Sequence, residues 1–186
     1  MEVFPNILLV GATRKHLGKT HLICSLLEHF TSEKRVNAVK FITYYDGDDA
    51  YHGSELEPLS ANFDIREETN ISGKKDSSAM LRSGASKVLV VRSKVEHMRD
   101  AFLNLRGLLD VNIPVIVESN SLRSIIEPGI FVMLRPEELT DTKNSATRVF
   151  DEADIVICMN KSRFDDIVSL IELTDKGWKK NENRKD

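Results

Sequence analysis

Ile7-Leu8-Leu9-Val10, Gly11-Ala12-Thr13-Arg14-Lys15-His16-Leu17-Gly18-Lys19-Thr20 and His21-Leu22-Ile23-Cys24-Ser25-Leu26-Leu27-Glu28-His29-Phe30 follow one another without a break, and their reading decides the fold. The first piece has no polar alternation, as expected for a central parallel strand covered on both faces. In the third, Leu22, Ile23, Leu26, Leu27 and Phe30 recur at helical spacing. Strand, loop and helix are written in that order.

The loop carries the second half of the pattern G-x-x-x-x-G-K-[ST], as Gly18, Lys19 and Thr20. In that pattern backbone N–H groups and the helix N-terminus take the negative charge of phosphates, Lys reaches the β and γ phosphates, and Ser or Thr ligates Mg²⁺. The first glycine is out of place, because the position five before Gly18 is Thr13 and the nearest upstream glycine is Gly11. The strand-loop-helix setting still makes the stretch from Thr13 through Arg14, Lys15, His16, Leu17, Gly18, Lys19 and Thr20 to His21 a phosphate cradle, with Arg14 and Lys15 as extra cations at its lip.

The chain of 186 residues fits one α/β domain. A net charge of −3 without a basic stripe argues against a nucleic-acid partner. Cys24 and Cys158 sit in apolar runs with no Cys/His spacing around them, so they read as small hydrophobes in a reducing compartment, and structural zinc is not expected. Met1 to Asn6 has no basic segment followed by an apolar core, and no apolar run reaches membrane-spanning length, so a cytoplasmic protein without a membrane partner is expected.

Along the chain, Val36 to Thr43 reads as a second strand, with Lys40 facing the active edge. From Tyr44 to Lys75 the pattern breaks down into a long loop that could arch over the phosphates, and His16 and His52 fall in the two candidate ligand loops. Asp76 to Gly84 reads as a short helix with an Asp N-cap and a Gly stop, and Lys87 to Arg92 as a third strand. Val95, Met98, Phe102, Leu105 and Leu109 form one stripe of a surface helix.

A fourth strand, Ile113 to Glu118, ends in a carboxylate. That places Glu118 at the C-terminal edge of a parallel sheet, where ligands bind in open α/β folds and where a carboxylate can hold Mg²⁺ or orient water. The competing role is a helix cap or a bond to Ser119-Asn120-Ser121. Ile130 to Pro136 reads as a fifth strand, Pro136-Glu137-Glu138 as a helix start, and Asp154 to Met159 as a sixth strand. Ile167, Leu170, Ile171 and Leu173 suggest a last amphipathic helix, which closes a single domain over 1–174; residues 175–186 read as a frayed polar tail. Asn160-Lys161 after the sixth strand resembles the guanine-reading motif N-K-x-D of GTPases, although Arg163 stands at the Asp position. It competes with a plain strand-to-helix turn.

Together these residues resemble the family of molybdopterin-guanine dinucleotide biosynthesis protein B, small P-loop GTP-binding proteins. The family loop G-x-K-x-S-G-K-T is matched at Lys15, Gly18, Lys19 and Thr20. Its K-H-D-G-H element is echoed loosely by Lys40 and Asp46-Gly47, and its D-[ST]-x-x-x-x-x-A-G-A element by Asp76-Ser77 and Ser83-Gly84-Ala85. Its E-G element corresponds to Glu118-Ser119. The similarity in order runs from about Ile7 to Asn120. It implies GTP binding in molybdenum-cofactor biosynthesis.

The expectation is therefore a three-layer α/β P-loop NTPase-like fold with a mainly parallel central sheet, binding GTP or ATP with Mg²⁺ and hydrolysing it slowly. Lys19 neutralises phosphate charge, Thr20 ligates Mg²⁺, Glu118 and Asp46 complete the metal shell or position water, and Asn160 and Lys161 shape the base pocket. A small-molecule kinase or ATP-dependent ligase of the same fold, and a non-catalytic nucleotide-sensing adaptor, remain as alternatives. A partner protein and a homodimer both stay open.

Overall fold

The computed structural model describes residues 1–45, 59, 61–138, 144–159 and 164–183. Asp46, His52, Asn160 and Lys161 lie outside them. Strand β1 (Glu2–Ala12) leads through the glycine loop to helix α1 (Lys19–Phe30), and β2 (Asn37–Tyr44) follows. Next come β3 (Phe63–Glu67), α2 (Asp76–Arg82), β4 (Val88–Lys94), α3 (Met98–Gly107), β5 (Val115–Glu118) and β6 (Ile126–Arg135). The chain continues through α4 (Asn144–Thr147), β7 (Ile155–Cys158), α5 (Phe164–Val168), β8 (Ile171–Thr174) and β9 (Gly177–Lys180).

Seven strands form one sheet in the order β3-β4-β2-β5-β1-β6-β7. All neighbours are parallel except β3, which runs antiparallel to β4 at the edge. This is the α/β architecture with a mainly parallel sheet that the strand spacing predicts. From Ile7 to Ala12 every residue of β1 is buried. Leu8, Val10 and Ala12 pack with Leu22, Leu26, Met80 and Ile167 of α1, α2 and α5, whereas Leu9 packs with Met98, Phe102, Leu105 and Phe131 on the α3 side. Helices therefore cover both faces. The chain leaves β1 for β2 on one side, and the link from β5 to β6 crosses β1, so the order of strands reverses around β1. In open parallel sheets such a switch point opens a crevice at the carboxyl ends of the strands. No helix among the described residues is long and apolar enough to cross a membrane.

Several local expectations are corrected. Part of the expected long loop is strand β3, whose Phe63 and Ile65 pack on the α3 side while buried Arg92 of β4 donates to Asp64. Its charged alternate positions hid it. Residues 136–138 form no helix, since Pro136 ends β6 in a bend. The last helix stops at Val168, and Ile171 and Leu173 belong instead to hairpin strand β8. The chain past Thr174 is ordered through Lys180 in β9, because Trp178 gives it something to bury: the indole is 3% exposed, stands edge-on to Phe30 at 5.0 Å and donates to the Asn6 carbonyl at 3.0 Å. The turn needs Gly177, with φ +117°, where a Cβ would stand 2.2 Å from the Pro5 carbonyl oxygen. Cys24 and Cys158 are half-buried free thiols, and burial pushes the Cys24 thiol up.

Trp178→Ala removes the largest buried side chain that ties the hairpin to the sheet. Urea unfolding should show a loss of about 3–5 kcal/mol. A change under 1 kcal/mol, roughly what a surface site gives, would restore the frayed-tail expectation.

Candidate functional site

The C-terminal end of β1 is shaped by a residue from the far side of the next strand. Ser119 donates its backbone N–H to the Val10 carbonyl at 3.1 Å, continuing the β1–β5 pairing past the end of β5. The Asn120 amide then takes over. Its Oδ1 accepts from the Ala12 N–H at 2.8 Å and its Nδ2 donates to the Ala12 carbonyl at 2.9 Å. This explains the displaced glycine: a Cβ on Gly11 would stand 2.6 Å from Asn120 Oδ1 and 3.0 Å from the Phe131 ring. Gly11 is needed to seat Asn120. Thr13 meanwhile stays with the sheet, donating its N–H to the Leu134 carbonyl at 2.9 Å, and its buried hydroxyl has no hydrogen-bond partner among the described residues.

The chain then turns outward. Arg14, Lys15 and His16 are exposed, with His16 at φ 61°, and Leu17 folds back into the core under α1. Gly18 caps α1 in the left-handed conformation at φ 84°, which a Cβ would strain and which brings it close to Phe164 of α5. Lys19 and Thr20 thus occupy the first turn of a three-turn helix, where N–H groups point outward and the dipole favours anions. His21 is exposed, with its ring 6.1 Å from that of Phe164.

Against this turn the sheet presents a row of charge. Val10, Glu118 and Lys40 are register partners across β1, β5 and β2, so their side chains share a face, the face that α1 covers. Lys19 Nζ lies 3.5 Å from Glu118 Oε1 and Lys40 Nζ lies 3.8 Å from Glu118 Oε2. Lys40 also donates a hydrogen bond to the carboxylate of Asp76, the first residue of α2. The Glu118 side chain is only 10% exposed, and among the described residues its Oε2 accepts no hydrogen bond. Burial works to raise the pKa of Asp76, but it is outweighed. The hydrogen bond and charge of Lys40, a hydrogen bond from the Thr20 hydroxyl and the charge of Lys19 hold this carboxyl below its ordinary value.

The structure therefore brings Gly18, Lys19, Thr20 and Glu118 together, with Lys40, as the spacing predicts. Glu118 caps no helix; Asn120 precedes the following turn, and Glu118 faces lysines instead. Asp46, Asn160 and Lys161 lie outside the described residues, so the expected metal role of the first and base role of the others carry over as expectations. Thr13 and Leu17 face inward. Asp76 is the residue that sequence reasoning placed wrongly: α2 is capped by Lys75 and Asp76 makes no side-chain cap bond, pointing across to Lys40. Its signal was an acidic first turn directly after the Lys74-Lys75 pair, which reads locally as capping.

Chemically, two ammonium groups and a helix N-terminus suit a polyanion, while the Thr20 hydroxyl and the Asp76 and Glu118 carboxylates offer oxygen to a hard cation. No group of three or more His, Cys, Asp or Glu side chains able to hold a metal occurs among the described residues. No protein-family model matches this chain, and no curated protein or solved structure matches it.

Asn120→Ala should strand the Ala12 N–H and carbonyl in a buried setting and cost about 1–3 kcal/mol in denaturant unfolding. Retained stability would deny the amide its bracing role. A second expectation concerns acid. The carboxyls of Asp76 and Glu68 are both lowered in the folded protein, Glu68 chiefly by the Ser77 hydroxyl and the Asn70 N–H. Depressed carboxyls contribute stability above their unfolded pKa of about 4 and lose it as pH falls through the folded value. Unfolding midpoints should drop below about pH 4, and Asp76→Asn should flatten that limb.

Proposed function

We propose that the protein binds a nucleoside triphosphate together with Mg²⁺ at the loop from Gly11 to Thr20 and hydrolyses it slowly, as a P-loop NTPase. One observation carries this: Lys19, set at the start of α1 by left-handed Gly18 directly after the central strand, reaches Glu118 at the carboxyl end of the neighbouring strand at 3.5 Å. Phosphate, strand edge and carboxylate chemistry then meet in one place.

The residues present fit Mg²⁺. Mg²⁺ keeps near-octahedral oxygen ligation and is commonly held by one or two carboxylates plus substrate phosphates, and this site offers Thr20, Asp76 and a Glu118 oxygen that accepts no hydrogen bond among the described residues. When bound, the metal would draw charge from the phosphate oxygens and so favour attack at phosphorus. The chain's own contribution is positional. Lys19 neutralises the β and γ phosphates, the first N–H groups of α1 donate hydrogen bonds to phosphate oxygens, and Glu118 orients Lys19 and the attacking water. The exposed Arg14 and Lys15 flank the entry.

The family resemblance makes GTP the favoured nucleotide and an accessory role in molybdenum-cofactor biosynthesis, in the cytoplasm, the favoured setting. Purified protein titrated with GTP and ATP, with and without Mg²⁺, tests the core of the proposal. Lys19→Ala should lose triphosphate affinity by about 2–4 kcal/mol, whereas Glu118→Gln should keep most of it and lower turnover at least about tenfold. If Lys19→Ala binds as well as the parent, or both variants behave alike, the assignment of roles fails.

A further inference from the structure

The charge row contains a feature that phosphate binding alone does not require. Lys40 Nζ stands between the site's two carboxylates, hydrogen-bonded to Asp76 and 3.8 Å from Glu118 Oε2, the buried oxygen that accepts no hydrogen bond among the described residues. It occupies the position that a divalent cation shared by the same two carboxylates would take. From this juxtaposition we infer that Lys40 is a tethered counter-cation, which keeps free divalent metal out of the nucleotide-free protein and lets metal enter only with the triphosphate. The second half of the inference rests on the triphosphate reading; the first does not.

Charge counting supports it. The carboxylates of Asp76 and Glu118 are balanced by the ammonium groups of Lys19 and Lys40. The side chains of Lys19, Lys40 and Glu118 are 17%, 24% and 10% exposed and that of Asp76 is 47% exposed, so the interactions around Glu118 are only partly screened by water and that of Asp76 more so. A bare divalent ion would add two charges to a neutral, half-buried set and would also have to displace an ammonium group already hydrogen-bonded. A triphosphate reverses the sign of that cost, because its negative charge gives both ammonium groups a new partner. Lys40 is suited to the exchange. Its α-carbon is fixed in β2 opposite Glu118, while its four-carbon stem allows the head group to swing from carboxylate to phosphate. Arginine, with a planar fork and permanent charge, would remain in place.

The test uses Mn²⁺ alone on the nucleotide-free, full-length chain, with free ion measured by electron paramagnetic resonance. The parent should bind weakly, Lys40→Met should bind at least about tenfold more tightly, and Lys40→Arg should match the parent. Adding Asp76→Asn to Lys40→Met should abolish the gain, which locates the metal. Circular dichroism checks folding, and Lys40→Gln replaces Lys40→Met if the latter does not fold. A second readout is thermal: Mn²⁺ should raise the melting temperature of Lys40→Met and leave that of the parent unchanged. Tight Mn²⁺ binding by the parent, or equal binding by the parent and Lys40→Met, overturns the inference. A gain in Lys40→Met from a parent that binds neither GTP nor ATP would keep Lys40 as the counter-cation and remove the triphosphate reading. Triphosphate binding without that gain would do the reverse.

Discussion

Strand β1 is buried on both faces from Ile7 to Ala12, so each of its backbone groups must find a partner inside the protein. The pairing with β5 and β6 meets most of that requirement, but β5 ends at Glu118, two residues short of where β1 ends. Asn120 fills the deficit by offering a side-chain amide that mimics one more peptide group. The arrangement explains why Gly11 lacks a side chain, why Thr13 stays in the sheet and why the loop lifts away only at Arg14. The geometry of the glycine loop is thus a by-product of finishing a buried strand.

The same constraint sets the electrostatics. Because β5 is short, its last side chain, Glu118, emerges at the edge of the sheet beside Lys40, in register on β2, and under the first turn of α1. A carboxylate so deeply placed is tolerated because lysines approach both of its oxygens. Lys40 then passes the balance on to Asp76. The site holds as many ammonium groups as carboxylates among these four residues, and any ligand must compete with contacts the protein already makes.

Much of this was legible in the sequence, and the exceptions share a cause. The β1–loop–α1 unit stood out because an unbroken apolar run and a helical stripe are local patterns, and Glu118 because a strand-final carboxylate has a predictable place. Asp76 was read as a cap because its partner, Lys40, is 36 residues away. Strand β3 was hidden because Asp64 and Arg66 interrupt a short edge strand whose buried partner, Arg92, lies on another strand. Ile171 and Leu173 fit helical spacing as well as alternation, and only their pairing with Lys180 and Trp178 decides between them. Asn120 had no signal at all, since a side chain that imitates backbone leaves no spacing pattern.

The hairpin that closes the molecule also places its chromophore. Trp178 is the chain's single tryptophan, and it rests on Phe30, the last residue of α1, whereas Lys19 and Thr20 are the first. The helix has twelve residues and is about 18 Å long. Intrinsic fluorescence therefore reports whether the distal end of the fold is sealed and is optically remote from the glycine loop. A ligand that changes only the loop leaves the emission alone, so quenching beyond the ligand's own absorption signals a change that has reached the far end of α1.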